Sequence, residues 1–527
     1  MAAPLMMMTI MVMAAAEITG STTGEEVCET EILPNGICLP EIWPPRDAFQ
    51  NASSQWMMKW PPYLENPPAA INITSGRQLF VDGFLVERSE NIVRVFGSLP
   101  TESVHPVLVP TEPWETNPSS LVFPHSAYAK SFSGGIWFDE GIYKLYYMCG
   151  WGGGACFARS KDGISWEKPR LNLVKGPFTN VSGWNISIPG DSNIILLDDV
   201  KGKEKWEPYW DALMSLDGGT FWLDRHDGKI SQKFKAATVC LSCSSAWYKD
   251  SFALWGSADG IHWEMLKNQS SPIEDRSTFF FNPFRRVWVF SIKNTAEPYG
   301  RHRLYFESSD FFEGPFWKGA HDGATNKSGR RQPVDWLHSD VFDPQFINGS
   351  KDFNPSACAY PGPLRLESCP AQIYNVDAVA YESITVGLFS IFQGSPETHD
   401  EYNSLFLGFS RDGFHFHRAE GRDRKPFISF NKSTLSSCHA GNPTGCVFDS
   451  YNVQSVAGGF TVIGDQLNFY FGSDRGNNAN GAQGNSSVSV GVPVPQVTLS
   501  WLAIPCGCLK SKSRRVPPLQ SSKTRYT

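Results

Sequence analysis

Short apolar runs alternate with turn-forming polar residues through most of the chain. Four stretches share one internal order, in which an apolar strand, a short polar turn and a second apolar or aromatic strand follow one another. Runs of this length, bounded by Gly, Pro, Asn and Asp, are typical of β-strands rather than of helices. The pattern therefore predicts two-stranded hairpins at residues 135–148, 279–291, 379–390 and 461–472.

A second motif, Ser-x-Asp-Gly followed by an apolar residue, any residue and an aromatic residue, recurs along the same region. It occupies residues 160–166, 257–263 and 410–416, and a diverged copy lies within 307–317. The Asp carboxylate accepts hydrogen bonds from the backbone that follows it, and Gly supplies a positive φ, as a tight turn requires. Each hairpin with its motif therefore predicts a unit of four strands.

Residues 229–255 contain no Gly or Pro and are numerous enough for a helix. Their apolar residues cluster on either side of Tyr248 instead of recurring every three or four positions, which favours a β-hairpin. Five four-stranded units then lie near residues 130–170, 205–268, 275–320, 372–420 and 450–500. We predict an all-β fold, a five-bladed β-propeller over residues 76–505.

The two ends of the chain differ from this repeating region. Residues 1–16 are apolar and end in small residues, which is typical of a secretory signal peptide, although no Lys or Arg precedes Arg46; an uncleaved anchor is the alternative. Residues 17–75 form an irregular, Pro-rich extension that we expect to be glycosylated, and residues 506–527 a basic tail that we expect to be disordered, with no C-terminal β-sandwich. Nine sequons predict a glycoprotein and begin at Asn51, Asn72, Asn180, Asn185, Asn268, Asn326, Asn348, Asn431 and Asn485.

The twelve cysteines indicate an oxidising compartment. An even number with short spacings in a secreted chain predicts small disulfide-closed loops and leaves their connectivity open. The Cys240–Cys243 pair lacks a second pair or a nearby His, so it is a weak zinc motif. We expect a secreted or lumenal protein. The local couples are Cys28/Cys38, Cys149/Cys156, Cys240/Cys243, Cys358/Cys369, Cys438/Cys446 and Cys506/Cys508.

Charge and missing motifs narrow the class of function. Charged residues make up 19% of the chain and the formal net charge is −7, which does not favour a nucleic-acid partner. No second apolar run approaches the roughly 20 residues of a membrane-spanning helix. Nucleotide-binding, nucleophile-elbow and HExxH motifs are absent from the sequence, so we expect no cofactor and no metal. The basic tail beside Cys506 and Cys508 leaves an acylated membrane patch as an alternative, and the oligomeric state stays open.

The ordered set of motifs resembles the five-bladed propeller glycoside hydrolases, the superfamily that includes families 32, 43, 62 and 68. More closely, it resembles uncharacterised bacterial-type proteins described as similar to the family 32 N-terminal domain. The resemblance covers roughly residues 76–475 and is carried by residues 77–87, 106–115, 160–169 and 274–283. It implies hydrolysis of glycosidic bonds by carboxylates that meet in an axial funnel.

One candidate carboxylate matches the family 32 pattern. Asp275, in Glu274-Asp275-Arg276 before an aromatic strand, corresponds to the Asp that stabilises the transition state in that family. Arg276 is then expected to contact the substrate. The alternative is that Asp275 accepts hydrogen bonds from its own turn.

The other family carboxylates are not matched in place. Residues 129–135, where the nucleophile motif belongs, contain no carboxylate, and Asp82 and Glu115 are the nearest upstream candidates. Asp377 and Glu382 are the candidates for the acid/base. We favour Asp377, because its apolar strand neighbours predict a burial that raises a carboxyl pKa towards that of an acid catalyst, whereas Glu382, like Asp82, is also a typical turn residue.

Several rings are candidates for contact with a sugar. Trp114, Trp137 and Trp151 could stack on the apolar face of a sugar ring, and His125 could line the pocket. The alternative for the tryptophans is packing between blades.

The residues together favour an enzyme, a secreted glycoside hydrolase acting on a small or terminal sugar, including furanosyl sugars. The competing hypothesis is a non-catalytic carbohydrate-binding propeller, which the carboxylate missing from residues 129–135 supports.

Overall fold

The fold is taken from a computed structural model of the chain. The structure describes residues 28–46, 60–74, 76–99, 104–115, 128–150, 154–174, 191–196, 219–240, 250–296, 300–317, 332–340, 342–343, 371–393, 402–419, 424–428, 453–464 and 466–474. It also describes short strands at 49–50, 57–58, 178–179, 185–186, 486–491, 501–503 and 510–511. None of the helices in these parts of the chain is long and apolar enough to cross a membrane.

Short elements precede the large sheets. They are β1 (Phe49–Gln50), β2 (Met57–Met58), α1 (Pro62–Glu65), β3 (Val86–Arg88), β4 (Ile92–Arg94) and β5 (Val104–Leu108). β1 and β2 form an antiparallel pair. The segment before β3 packs as a small apolar cluster of its own, which includes Leu33, Leu39, Tyr63, Phe84 and Leu85.

Sheets 1 and 2 are antiparallel meanders joined at one point. Thr220 pairs with Ser133 in parallel, which links the first strand of one sheet to the first strand of the other. Sheet 1 consists of β6 (Ala129–Asp139), β7 (Ile142–Cys149), β8 (Ala155–Ser160) and β9 (Trp166–Glu167). A small hairpin of β10 (Phe178–Thr179) and β11 (Asn185–Ile186) follows, and β12 (Ile194–Leu196) pairs with β8. Sheet 2 consists of β13 (Thr220–Leu223), a 3₁₀ turn (Ile230–Gln232), β14 (Phe234–Cys240), β15 (Ser251–Ser257) and β16 (Glu264–Lys267).

Three further four-stranded antiparallel sheets follow in the described parts of the chain. Sheet 3 consists of β17 (Thr278–Asn282), β18 (Val287–Ala296), β19 (Gly300–Ser308) and β20 (Val334–Leu337). Sheet 4 consists of β21 (Gln372–Tyr381), β22 (Ile384–Gln393), β23 (Tyr402–Ser410) and β24 (His417–Arg418). Sheet 5 consists of β25 (Phe460–Ile463), β26 (Gln466–Asp474), β27 (Ser486–Gly491) and the early strand β5. The last strands, β28 (Trp501–Ala503) and β29 (Lys510–Ser511), pair with β4 and β3.

The sheets follow one another around a common axis. First strands touch from sheet to sheet, β6 with β13, β13 with β17 and β17 with β21, while β26 and β27 contact β6. Sheets 4 and 5 share an apolar cluster that contains Leu388, Leu405, Phe469 and Phe471. The all-β propeller prediction is confirmed. The number of blades in the whole chain stays a prediction.

The Ser-x-Asp-Gly motifs form the same turn in sheets 1, 2 and 4. In sheet 1 the Ser160 hydroxyl accepts a hydrogen bond from the Gly163 amide at 2.8 Å, and Asp162 Oδ1 accepts from the next two amides. The corresponding bonds recur at Ser257 and at Ser410. Because Gly163 lies at φ 76°, a Cβ there would be strained. Each turn joins the third strand of its sheet to the fourth.

The hairpin and cysteine predictions agree with the structure where it describes them. The segment for which we predicted a hairpin rather than a helix forms the antiparallel strands β14 and β15. Disulfides join Cys28 to Cys38 and Cys149 to Cys156, and the other couples fall wholly or partly outside the described residues. Lys510–Ser511, in the tail expected to be disordered, forms the paired strand β29.

A buried ion pair joins the segment before β3 to sheet 4. The Arg411 side chain, in the third Ser-x-Asp-Gly turn, binds both carboxylate oxygens of Asp82 at 2.8–3.0 Å. The two side chains are 1% and 0% exposed. A buried charge that loses its partner destabilises a protein strongly, because the remaining ion stays out of water.

We expect Arg411→Ala to lower the free energy of unfolding by about 3–5 kcal/mol, since it leaves Asp82 buried without its cation. The matched control is Arg77→Ala, which breaks a pair with Glu382 whose arginine side chain is 74% exposed and should cost about 0–1 kcal/mol. Denaturant unfolding of both variants tests this. Equal losses of unfolding free energy in the two variants would contradict a stabilising role for the buried pair.

Candidate functional site

Polar and charged side chains from sheets 1, 3 and 4 and from the segment before sheet 5 form one connected group. This group is called the central cluster, and most of its members are buried. Sheet 1 contributes Lys130 and Ser133, sheet 3 contributes Asp275, Arg276, Lys293, Arg301 and Arg303, sheet 4 contributes Tyr374, Asn375 and Asp377, and the segment before sheet 5 contributes Gln454.

Asp275 is the most accessible acid of the cluster. Its side chain is 33% exposed, and it forms an ion pair with Lys293 of the neighbouring strand β18. Burial acts to raise the pKa of Asp275, but the charge and hydrogen bond of Lys293 and the charges of Arg276 and Arg301 outweigh it and hold that pKa below its ordinary value. Asp275 is therefore ionised at neutral pH.

Asp377 lies on strand β21 and is only 3% exposed. Its Oδ2 accepts a hydrogen bond from the Val456 amide at 2.7 Å. Burial raises the pKa of Asp377, against the opposing effects of Ser133, the Val456 amide, Asn375 and Arg303. The pKa values of the two acids are therefore shifted in opposite directions, as in active sites that pair a proton donor with an ionised carboxylate.

Arg303 joins the segments that carry these two acids. Its side chain is fully buried, and Nη1 donates to the Arg276 carbonyl at 2.6 Å while Nη2 bonds the Tyr374 carbonyl. Burial lowers the pKa of Arg303 to about 10, and the charges of Asp275 and Asp377 are the strongest effects that raise it. The guanidinium therefore joins sheet 3 to sheet 4 and lies within the field of both carboxyls.

Arg276 has an uncommon backbone. It is 5% exposed and has φ 60°, a conformation that costs a non-glycine residue free energy and that is concentrated at functional sites. Its Nη2 donates to Gln454 Oε1 at 2.8 Å, and Lys130 Nζ donates to the same oxygen at 3.1 Å. The two cations therefore converge on one amide oxygen from sheets 3 and 1.

The other predicted carboxylates have partners elsewhere in the fold. Both oxygens of Asp82 bind Arg411. Glu115 is fully buried, accepts hydrogen bonds from Tyr147 at 2.7 Å and Lys168 at 2.6 Å, and also bonds two backbone amides. Glu382 has φ 53° in the turn between β21 and β22 and binds Arg77. The structure does not bring these three acids into the central cluster.

The predicted sugar-binding rings that the structure describes pack within the protein. Trp114 is 5% exposed and donates from Nε1 to Asn193 at 2.9 Å. Trp137 donates from Nε1 to the Phe221 carbonyl at 2.8 Å, and its ring lies 4.7 Å from that of Trp222. His125 and Trp151 lie outside the described residues. Of the predicted site residues, Asp275, Arg276 and Asp377 come together.

Sequence reasoning missed the basic half of the cluster. Lys130, Lys293 and Arg303 stand within apolar strands, and a long basic side chain is almost never fully buried unless it has a partner. That signal, a cation in a strand predicted to be central, was available from the sequence. No such signal marks Tyr374 or Gln454 in the sequence, since each is an ordinary residue in its segment.

His302 on β19, Asp335 on β20 and His338 directly after β20 form a group whose ligand atoms lie within 4.8 Å of one another. Such a donor set suits a transition metal. The two imidazole rings, however, are stacked with centroids 4.6 Å apart and planes 15° from parallel. An imidazole nitrogen directs its lone pair in the ring plane, so nearly parallel rings do not converge on one ion. The group therefore does not fit a metal in this arrangement.

No family model matches the sequence, and no curated protein matches it. Solved structures do match, and they include two glycoside hydrolases and a deacetylase. A thermostable family 43 glycoside hydrolase is 13% identical with a TM-score of 0.40, and the match covers 78% of this chain and 99% of that one. A Bombyx mori family 32 β-fructofuranosidase is 11% identical with a TM-score of 0.36 and coverages of 71% and 63%.

An N-acetylgalactosamine deacetylase from F. plautii also matches, with 10% identity, a TM-score of 0.38 and coverages of 74% and 94%. The chain is similar in fold to these enzymes. This agrees with the resemblance to families 32 and 43, and the likeness is one of fold alone.

Proposed function

We propose that the protein is a glycoside hydrolase whose central cluster binds a sugar and cleaves its glycosidic bond. The observation that carries the proposal is that Asp275 and Asp377 come from adjacent sheets and that the charges of both act on the buried Arg303. Glycoside hydrolysis usually needs one carboxyl that donates a proton and one that is ionised. The opposite pKa directions of Asp377 and Asp275 supply that pair.

The roles follow from the environments of the two acids. Asp377 is the proton donor to the leaving-group oxygen, because burial keeps its carboxyl protonated to higher pH. Asp275 is the ionised partner, the nucleophile or base of the pair, and Lys293 positions it. A small or terminal sugar, including a furanosyl sugar, contacts the half-buried Tyr374 at the cluster.

The test is hydrolysis of a panel of aryl glycosides and oligosaccharides by the protein, with product sugars measured by chromatography. We expect turnover of at least one member of the panel. Turnover of none, although sugars bind the protein, would contradict the enzyme proposal and favour the alternative below.

A non-catalytic carbohydrate-binding propeller is the second candidate. Sheet 1 brings Ser133 to the cluster where family 32 has a carboxylate, and Asn375 donates to the Ser133 hydroxyl at 3.1 Å. Asp377, at 3% exposure, contacts a sugar only after its neighbours move. A binding protein needs neither a third carboxylate nor an accessible acid.

We also propose that the protein is secreted and glycosylated, which the two disulfides support because such bonds persist in oxidising compartments. Two of the sequons, at Asn72 and Asn268, begin at exposed residues of the described structure. In a secreting eukaryotic host, we expect glycans at both, released by peptide N-glycosidase and detected by mass spectrometry. Non-glycosylated peptides at both positions in the secreted protein would contradict this. The variants Asn72→Gln and Asn268→Gln are the controls, because each removes one of the two glycosylation sites.

A further inference from the structure

Residues 453–459, directly before β25, are held by contacts from sheets 1, 3 and 4. The Val453 carbonyl accepts a hydrogen bond from the Ser390 hydroxyl of β22 at 3.1 Å. The next residue, Gln454, accepts from one side chain of sheet 3 at 2.8 Å and from one of sheet 1 at 3.1 Å. Val453 and Gln454 are 0% and 4% exposed. The segment is therefore a buried connection between the sheets that carry the central cluster.

The same segment supplies a backbone hydrogen-bond donor to Asp377. The Val456 amide donates to Asp377 Oδ2 at 2.7 Å. Ser133 from sheet 1, Asn375 from the same strand and the charge of Arg303 from sheet 3 also act on this carboxyl. Because Val456 contributes through its backbone, the path of the segment decides where this donor lies, and hydrogen bonds weaken steeply when a donor is displaced.

The path of the segment requires an uncommon backbone. Ala457, Gly458 and Gly459 have φ 40°, 80° and 125°, and the Gly459 amide donates back to the Val456 carbonyl at 2.7 Å. A positive φ costs a residue such as Ala457 free energy, and such strain persists only where the surrounding structure over-determines it. The turn therefore holds Val456 in one orientation.

Gly458 lies directly against the first strand of sheet 1. A Cβ on Gly458 would overlap the Gly134 backbone of β6, so a side chain at this position would push the segment away from that strand. The close approach of the two backbones is possible because glycine has no Cβ. Ala457, next to Gly458, packs in the apolar cluster of sheet 1, which holds the segment on the same side.

We propose that residues 453–459 position the acid of the site: the Val456 amide orients the Asp377 carboxyl, and Gly458 is the positioning residue that permits the approach. The proposal rests on the proposed function for the role of Asp377 as proton donor. It adds that a backbone contact from the segment before sheet 5 sets the orientation of that donor.

Gly458→Ala tests the proposal, because it displaces the segment and leaves every polar side chain of the central cluster in the sequence. Burial raises the pKa of Asp377 and the Val456 amide opposes that effect, since a hydrogen bond to the ionised carboxyl favours it. Loss of the amide should therefore raise the pKa further. Infrared difference spectra over a pH titration follow the C=O stretch of the protonated carboxyl, and the band missing from Asp377→Asn identifies it.

Steady-state kinetics give the second readout of Gly458→Ala. The alkaline limb of the kcat profile should move to higher pH, because the donor keeps its proton longer. A misplaced catalytic group should also lower kcat, by about 10²-fold, with a much smaller change in KM. A merely structural role for Gly458 would lower the yield of folded protein without moving the pH profile.

Gly141→Ala is the matched control. Gly141 has φ 82°, so an alanine there has nearly the same backbone strain as at Gly458. Its Cβ, however, would meet no atom of the described structure within 4 Å. We expect the wild-type titration of Asp377 and wild-type kcat from this variant.

Ser390→Ala is the second variant, for the case in which circular dichroism shows that the glycine variant does not fold. The Ser390 hydroxyl lies 3.1 Å from both the Val453 carbonyl and Asn403 Oδ1, so its removal loosens the start of the segment without adding an atom. The pKa of Asp377 and the alkaline limb should rise as in Gly458→Ala, by less. Ser383→Ala, which removes a bond of 3.1 Å from a hydroxyl to a backbone carbonyl in the same sheet, should change neither.

The infrared titration does not depend on turnover, so it separates this proposal from the proposed hydrolase. An unchanged Asp377 titration in the folded variant would overturn the positioning role and leave the hydrolase intact. A raised pKa in a protein that hydrolyses no glycoside would support the positioning role and contradict only the hydrolase. An equal rise in the Gly141→Ala control would also overturn the proposal, because strain alone would then account for it.

Discussion

Asp275→Asn should lower kcat on any hydrolysed glycoside by about 10²–10⁴-fold, the usual contribution of a positioned acid or base. The substitution keeps the size of the side chain and removes the charge that pairs with Lys293. Because the expected loss is in the chemical step, KM should change much less than kcat. Steady-state kinetics of the wild-type and variant proteins provide the measurement.

Asp310→Asn is the matched control for Asp275→Asn. Asp310 is exposed in the same sheet, and its Oδ1 accepts hydrogen bonds from the Phe312 and Glu313 amides, which an Asn side chain also accepts. We expect wild-type turnover from it. Wild-type turnover by Asp275→Asn as well would remove Asp275 from the mechanism.

Asp377→Asn should reduce kcat by a similar factor, about 10²–10⁴-fold, because an amide cannot donate the acid's proton. The pH profile of wild-type activity should reflect the directions of the two pKa shifts. Burial raises the pKa of Asp377, so wild-type activity should persist at low pH and fall as the pH rises through that pKa. Asp275 has its pKa held down, so the acidic loss of activity should begin only below the ordinary range of an aspartate.

The residual activity of Asp377→Asn should lack the alkaline fall. A substrate with a good leaving group, such as a nitrophenyl glycoside, needs less help from an acid and should lose less rate than an alkyl glycoside. An unchanged alkaline limb in the variant would show that another group is the acid. Circular dichroism confirms that the variant is folded.

The turns of this fold were predictable because each is local. Asp162 and Gly163 specify their turn through hydrogen bonds and a backbone angle that involve residues next to them, so the Ser-x-Asp-Gly motif is sufficient. The Cys28–Cys38 and Cys149–Cys156 disulfides close short loops of the kind that the cysteine spacing predicted, although the spacing left the pairing open. Local chemistry of this kind can be read from a single sequence.

The site was predictable only in part because its contacts are distant in sequence. Asp377 and Val456 bond across 79 positions, and Arg276 and Gln454 across 178. Asp82 accepts a hydrogen bond from the Phe84 amide, as a turn residue does, but its ion-pair partner is Arg411, 329 positions away. Strand register and sheet order determine which distant residues come into contact, and the local motifs specify neither.

The central claim is that Asp275 and Asp377 act as one unit on a glycosidic bond. The most direct measurement is kcat for the wild-type protein, the two single Asn variants and the double variant on one hydrolysed glycoside. Residues that act as a unit have non-additive effects, so the double variant should lose little more kcat than the more impaired single variant, with sugar binding retained in all four proteins. Independent, multiplicative losses, or a wild-type protein that hydrolyses nothing, would contradict it.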